Sequence, residues 1–285
     1  MSKKNKPSRP EPETLALPPC GVDSHAHLDL VDFDPDRVEL MDRARASGVA
    51  RTGNVFLGPE AYRKNRAMFA NRPEVFFILG IHPGNADQCS PEALEAMRQA
   101  FATDPRLRAV GEIGLDYYWD DHPRDVQERV LRSQLTLARE IDLPPVIHCR
   151  DAFEDTLRVL LDEGFSGRKL LWHCFGGDET QARVLLDHGW HVSIPGPVSY
   201  AKNEALQRAV AVIPLERMLL ETDCPYLSAE PWRGKRNHPA LLAFTAQTVA
   251  RLRDMPVGAL WVATGQNACA FFGLPPLSIE PEELP

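Results

Sequence analysis

The chain has 285 residues, 44% of them hydrophobic, and a formal net charge of −8. That apolar content excludes wholesale disorder. The acidic balance excludes a basic nucleic-acid footprint over the whole surface, although bound divalent cations and a local basic loop can still attract phosphate.

Residues 1–19 are rich in Lys and Pro and carry no apolar h-region, so they read as a flexible tail and not as a signal peptide. From 20 to 274 short apolar runs alternate with amphipathic stretches, with no linker or compositional break, which reads as a single domain. The predicted strands are 21–29, 49–55, 75–81, 109–114, 145–149, 169–175, 191–194 and 218–222. Helical patterns lie between them. Ser90 before Pro91 supplies a capping hydroxyl and a first-turn proline. Asp151 with Glu154 fits a capping box, and Gly48, Gly164 and Gly189 stand where helices end. Strands alternating with helices indicate parallel βαβ units. Eight of them predict an α/β protein of the (β/α)8 TIM-barrel type, which takes about 250 residues. An open doubly wound sheet is the alternative, but no GxGxxG follows the first strand to support it. Residues 275–285 are acidic and Pro-rich and read as a C-terminal tail. No run is long enough to span a bilayer. The six cysteines form no CxxC pair and read as reduced thiols, so the expected compartment is the cytoplasm.

The chemistry sits at the strand ends. Asp23-Ser24-His25-Ala26-His27 closes the first strand, and residues two apart on a strand face the same side. His25 and His27 therefore aim together into the barrel mouth. Glu112 stands near the end of the fourth strand, His148 of the fifth, His173 of the sixth and Asp223 of the eighth. Functional side chains of barrels project from these carboxyl ends. A buried His or Glu without a partner is costly, and metal ligation offsets the cost. Six ligands exceed what one tetrahedral ion needs. Two divalent ions sharing the carboxylate of Glu112 fit better, about 3.5–4 Å apart, where they can activate water. Imidazole with carboxylate suits Zn or Mn, and Mg with fewer histidines engaged. Cys149, Cys174 and Cys224 each follow a proposed ligand. By strand alternation they face the helices as small apolar fillers.

The stretches DSHAHLD, GIHP, VGEIGLDYY, PPVIHCRDA, HCFGG, LLETDCPYL and RGKRNHP resemble, in that order, the TatD family of metal-dependent deoxyribonucleases. The likeness runs from Gly21 to Phe272. It implies a TIM barrel, a divalent-metal requirement, and hydrolysis of phosphodiester bonds, often from the 3′ end of DNA. It implies the same metal set: His25, His27, Glu112, His148, His173 and Asp223. It places His82 of GIHP over the site in contact with the scissile phosphate. Arg150 gains a phosphate-pairing role, and Arg233 with Lys235 and Arg236 forms a basic loop on the catalytic face. Members usually read N-E-P where this chain has Asn237-His238-Pro239, which leaves the metal set intact. Tyr117, Tyr118 and Trp119 are either base-stacking aromatics or a packed rim. The expected mechanism is in-line attack on phosphorus by a metal-activated water. Asp223 accepts the proton, Glu112 bridges, and His82 and Arg150 neutralise phosphate charge. A recess ringed by loops on an acidic protein favours single-stranded ends over duplex, and so a monomeric exonuclease. The alternatives are an ester or amide hydrolase, for example on aminoacyl-tRNA, and a non-enzymatic binding protein on the same barrel.

Overall fold

The computed structural model describes residues 9–119 and 121–278. Eight strands run in chain order: β1 Gly21–Ala26, β2 Val49–Leu57, β3 Val75–Gly80, β4 Leu107–Asp116, β5 Pro145–Arg150, β6 Leu171–Trp172, β7 His191–Ile194 and β8 Met218–Leu220. Each pairs in parallel with the next. A parallel bridge between Ala26 and Cys224 closes the ring. The helices are α1 Arg37–Ala46, α2 Pro59–Asn65, α3 Pro91–Thr103, α4 Arg124–Glu140, α5 Phe153–Asp162, α6 Glu179–Asp187, α7 Glu204–Val212, α8 Leu242–Leu252 and α9 Val257–Phe271. The protein is therefore a single-domain (β/α)8 TIM barrel with one helix beyond the eight repeats.

Alternation along the strands makes two cores. Val22, Val55, Phe76, Ile78, Ala109, Val146, Leu171 and Leu219 fill the barrel interior. Their neighbours Phe77, Leu79, Val110, Ile147 and Trp172 face the helices. A buried interior of this kind is a packed core and not a pore. The extra helix α9 covers the floor. Its Ala268, Cys269 and Phe271, with Phe272 just beyond, join the interior core, and Phe272 packs on Phe76 at 4.7 Å between ring centroids. Close approach requires glycine on both sides of this contact. A Cβ on Gly21 would meet the Trp261 ring at 1.9 Å, and one on Gly265 would meet the carbonyl oxygen of Cys20 at 1.9 Å.

Local signals hold where side chains act on their own backbone. Ser90 Oγ accepts from the Ala93 N–H at the start of α3. Gly48, Gly164 and Gly189 all take positive φ after their helices. The capping box expected at Asp151 and Glu154 is absent: the N-cap of α5 is Ala152, which makes no side-chain cap, and Asp151 itself has φ 54°. The chain must turn sharply after Arg150 to enter α5, which removes Asp151 from the capping position. The box occurs at Asp178 and Gln181 instead.

Three strands, β1, β6 and β8, end two or more residues before their predicted ends, because the chain leaves the ladder just where it delivers polar side chains to the mouth. Composition places residues 9–19 in a flexible tail, yet the structure lays them on the barrel. Arg43 pairs with Glu11 and Glu13, and Trp232 Nε1 donates to the carbonyl of Pro10. Residues 1–8 and 279–285 of the two expected tails lie outside the described residues. Among the described residues, no helix is long and apolar enough to cross a membrane.

Candidate metal centre

The seam of the barrel assembles the first half of the site. His27 N–H donates to the carbonyl of Cys224 at 2.9 Å, and Asp223 N–H to that of His25 at 3.0 Å. These bonds stitch the ends of β1 and β8, so His25, His27 and Asp223 converge. Below them the buried carboxyl of Asp23 accepts from Thr222 N–H at 2.9 Å and Thr222 Oγ1 at 2.6 Å. Burial outweighs these bonds and pushes Asp23 up to about 8.

Glu112 organises the whole. The register of β4 against β5 slips between Val110 and Ile113, an irregularity of the kind that re-aims a side chain. It turns Glu112 into the mouth, where its side chain is 5% exposed. Its two oxygens face different partners. Oε2 lies 3.3 Å from His25 Nε2 and 3.7 Å from His27 Nε2. Oε1 lies 2.6 Å from His148 Nδ1 and 2.8 Å from His173 Nε2. Asp223 Oδ1 completes the first half, 3.3 Å from His27 Nε2 and 3.9 Å from His25 Nε2. Burial alone would raise the Glu112 carboxyl. The imidazoles of His173 and His148 outweigh it and hold Glu112 well below the usual carboxylate range.

This donor set fits divalent cations. His25 Nε2, which faces Glu112 and Asp223, is buried without a hydrogen-bond partner, an expensive state that ligation relieves. Two groupings, His25–His27–Glu112 and Glu112–His148–His173, bring one donor atom per residue within 4.8 Å of one another. Both share Glu112, and the donors are imidazole and carboxylate, the chemistry of Zn- and Mn-type sites.

The further expected residues divide. His82 is brought in: its ring lies edge-on to His148 at 4.5 Å between centroids, and Nε2 is 3.8 Å from Glu112 Oε1. Its Nδ1 accepts from Gly84 N–H at 2.9 Å. Burial lowers the ring to about 4, so the neutral ring carries its proton on Nε2, toward the site. Arg150, at the end of β5, is exposed, and its guanidinium rests 4.0 Å above the Tyr118 ring. It lines a cavity of about 770 Å³ that opens over Glu112, His148, His173 and Asp223. Arg233 lies elsewhere, 4.1 Å above the Tyr200 ring, and is not among the lining residues. Arg236 is engaged by Asp36 and by the carbonyl of Asp32. His238 is buried, and its charged neighbours are Arg43, Arg236, Glu13 and Asp36, none of them in the acid–histidine cluster.

Three residues escaped the sequence reading. Asp116 Oδ2 lies 2.9 Å from His148 Nε2, while its Oδ1 accepts from the N–H groups of Tyr118 and Trp119 at 2.9 and 3.0 Å. Burial works against ionisation here, but His148 and those N–H groups win and lower Asp116 to about 2. Glu221, fully buried, takes the Ser193 hydroxyl on Oε2 at 2.5 Å and places Oε1 3.5 Å from His173 Nδ1. Both histidines of the second half thus have an acid behind the far ring nitrogen, hydrogen-bonded at His148 and 3.5 Å away at His173. Arg124, at the start of α4, joins Arg150 in the cavity wall, with its guanidinium 4.0 Å above Tyr117. An acid four residues after Glu112, and another two before Asp223, were the available signals. The cysteines also divide. Cys149 borders the cavity, but its Sγ lies 3.5 Å from Thr156 Oγ1 of α5 and so faces the helices as expected. Cys174 does not: β6 has ended at Trp172, Cys174 takes φ 48°, and the residue lines the cavity.

Comparisons with known proteins agree with this fold. The model of the TatD related DNase family matches residues 22–273. The chain is 35% identical over 250 residues to the uncharacterized metal-dependent hydrolase YabD of Bacillus subtilis, covering 88% of this chain and 98% of that relative. It is 36% identical over 261 residues to an uncharacterized metal-dependent hydrolase, TatD, of Mycobacterium tuberculosis, covering 89% and 98%. The crystal structure of YjjV, a TatD homologue from Escherichia coli, superposes with a TM-score of 0.84 at 28% identity, covering 90% of this chain and all of the other. The chain belongs to the TatD family and is a metal-dependent hydrolase.

Proposed function

We propose that this hydrolase is a deoxyribonuclease that removes nucleotides from single-stranded 3′ ends, acting as a cytoplasmic monomer. The observation that carries the reading is the division of Glu112 between two pairs of histidines beneath a cavity walled by Arg124 and Arg150. On this reading His25, His27, Asp223 and Glu112 would hold one divalent ion, and His148, His173 and Glu112 would hold a second. The ions would supply Lewis acidity to the attacking water and to the phosphate oxygens.

The chain's own residues do the rest. Asp223 has the most open carboxylate of the cluster, 15% exposed against 5% for Glu112, and it takes the proton of the attacking water. His82 directs its Nε2–H at a phosphate oxygen, because Gly84 already occupies Nδ1. Arg150 offers its guanidinium fork from the cavity wall. Asp116 and Glu221 fix the rings of His148 and His173. The buried floor keeps water from reaching the site from below.

The test is a screen of the purified chain with Mg, Mn and Zn on linear and covalently closed single-stranded DNA, duplex DNA and an aminoacyl ester. Cleavage of the linear strand alone is the expected result. Comparable cleavage of the circle would refute entry by the end, and cleavage of the ester alone would refute the nuclease reading.

A further inference from the structure

The chain has 5 Trp, 5 Tyr and 12 Phe, all within the described residues. Only Tyr118 at 55%, Trp119 at 64% and Tyr226 at 56% are exposed. Large aromatic rings left in water are unusual enough to mark binding surfaces when they gather in one place. Here all three stand on loops at the catalytic end of the barrel, on either side of the cluster. Tyr118 and Trp119 follow the end of β4, and Tyr226 follows β8. In a ring of eight strands taken in order, β4 and β8 stand on opposite sides. The acid–histidine cluster lies between.

Each station has a fixed backbone and an exposed ring. Tyr118 and Trp119 donate their N–H groups to Asp116 Oδ1, whose other oxygen holds His148. Tyr226 donates its N–H to the carbonyl of Asp223 at 3.0 Å, and its own carbonyl accepts from Asn237 Nδ2 at 2.6 Å. Its ring stands 6.5 Å from that of His27. The platforms are therefore tied directly to members of the cluster, one on each side. Arg150 lies over Tyr118 at 4.0 Å and within 5.9 Å of Trp119, so the β4 station also carries a cation suited to phosphate. Aromatic rings beside a phosphate-binding centre provide what a single strand offers on both sides of each phosphodiester, a flat base.

We propose that Tyr118 with Trp119 on one side of the mouth, and Tyr226 on the other, each stack one of the two nucleobases flanking the phosphodiester held over the cluster. The proposal rests on the deoxyribonuclease reading and extends it: specificity is for bases as such, not for sequence.

The test uses the full chain with Mn(II) and a single-stranded oligonucleotide. The base on either side of the scissile bond is replaced, in turn, by an abasic residue. Loss of either base should raise KM for the wild type about five- to a hundredfold, the range of one lost stack, with kcat changed far less. Tyr226→Ala should become indifferent to one of the abasic positions and remain sensitive to the other. The double variant Tyr118→Ala/Trp119→Ala should show the reverse, and Tyr226→Phe and Trp119→Phe should behave as wild type. Unchanged metal content shows that the variants keep the cluster. In chelator, strand binding should quench tryptophan emission, and Trp119→Phe should lose that quenching. Fully additive losses from ring and base, or variants with wild-type KM, overturn the platforms while leaving the nuclease reading intact. A wild-type chain that neither binds nor cleaves any strand overturns both.

Discussion

Asp116→Asn isolates the mechanism by which the second half of the site is prepared. The carboxylate accepts from His148 Nε2 at 2.9 Å and so leaves Nδ1, 2.6 Å from Glu112 Oε1, as the ring's donor toward the metal position. Asn keeps the shape, and its carbonyl oxygen can still accept from Tyr118 and Trp119. Its amide then faces His148 Nε2 as a second donor. The ring escapes the clash by moving its proton to Nδ1, which removes the lone pair that ligation needs. The loss is one charge-assisted hydrogen bond, about 1.5–3 kcal/mol. That corresponds to roughly a 10–100-fold fall in affinity for one ion, the range typical of partners behind a metal-bound histidine. Competition between the protein and a fluorescent chelator for Zn(II) or Mn(II), read in the absence of substrate, measures it. The weakening should fall on one ion of two. Wild-type affinity for both ions in a folded Asp116→Asn chain would refute it, as would equal weakening of both.

Glu112→Gln should lower bound metal and activity together, because both halves share this carboxylate; elemental analysis beside a nuclease assay checks it, and full metal occupancy with wild-type activity would remove Glu112 from its central place. His82→Ala should keep the metal and lower kcat by about 10²–10³-fold, as expected for one lost hydrogen-bond donor to the phosphate in the transition state. Cys149→Ala should leave metal stoichiometry unchanged and cost about 1–2 kcal/mol of stability by urea titration, since its thiol packs on α5. Burial lowers His191 and His238 to about 4, so the unfolded chain binds protons that the native one refuses between pH 6.5 and 4. Stability at these positions is therefore full above pH 6.5 and falls as the pH drops toward 4. Replacing both residues with Gln should flatten the pH dependence of the urea midpoint in that window.

The barrel was legible because its repeats are local: apolar runs, caps and glycines announce each strand and helix without reference to one another. Five of the six cluster members stand at strand ends that the pattern locates directly. Glu112 was also found, but for an incomplete reason, because only the register slip in β4 turns it into the mouth. The same limit explains Cys174. Alternation predicts its direction only while the strand persists, and β6 ends two residues earlier. Asp116 and Glu221 were hidden because their importance depends on which ring nitrogen of a histidine from another strand lies beside them. Charge alone did not reveal the contacts of Arg233 and Arg236, whose partners Tyr200, Asp32 and Asp36 come from distant segments. The same holds for residues 9–19, whose Pro and charge content suggests a tail but whose acids meet Arg43.

The packing of α9 under the barrel has a kinetic consequence. With Phe271 and Phe272 closing the floor, the mouth is both entrance and exit. On the proposed exonuclease reading, a nucleotide cut from the end of a strand could not be pushed through to the far side as the strand advances. It has to leave past the remaining strand, or the strand has to let go. Turnover should thus be limited by departure and not by bond cleavage: a burst of one nucleotide per enzyme in the first cycle, competitive inhibition by mononucleotides, and short runs on any one strand.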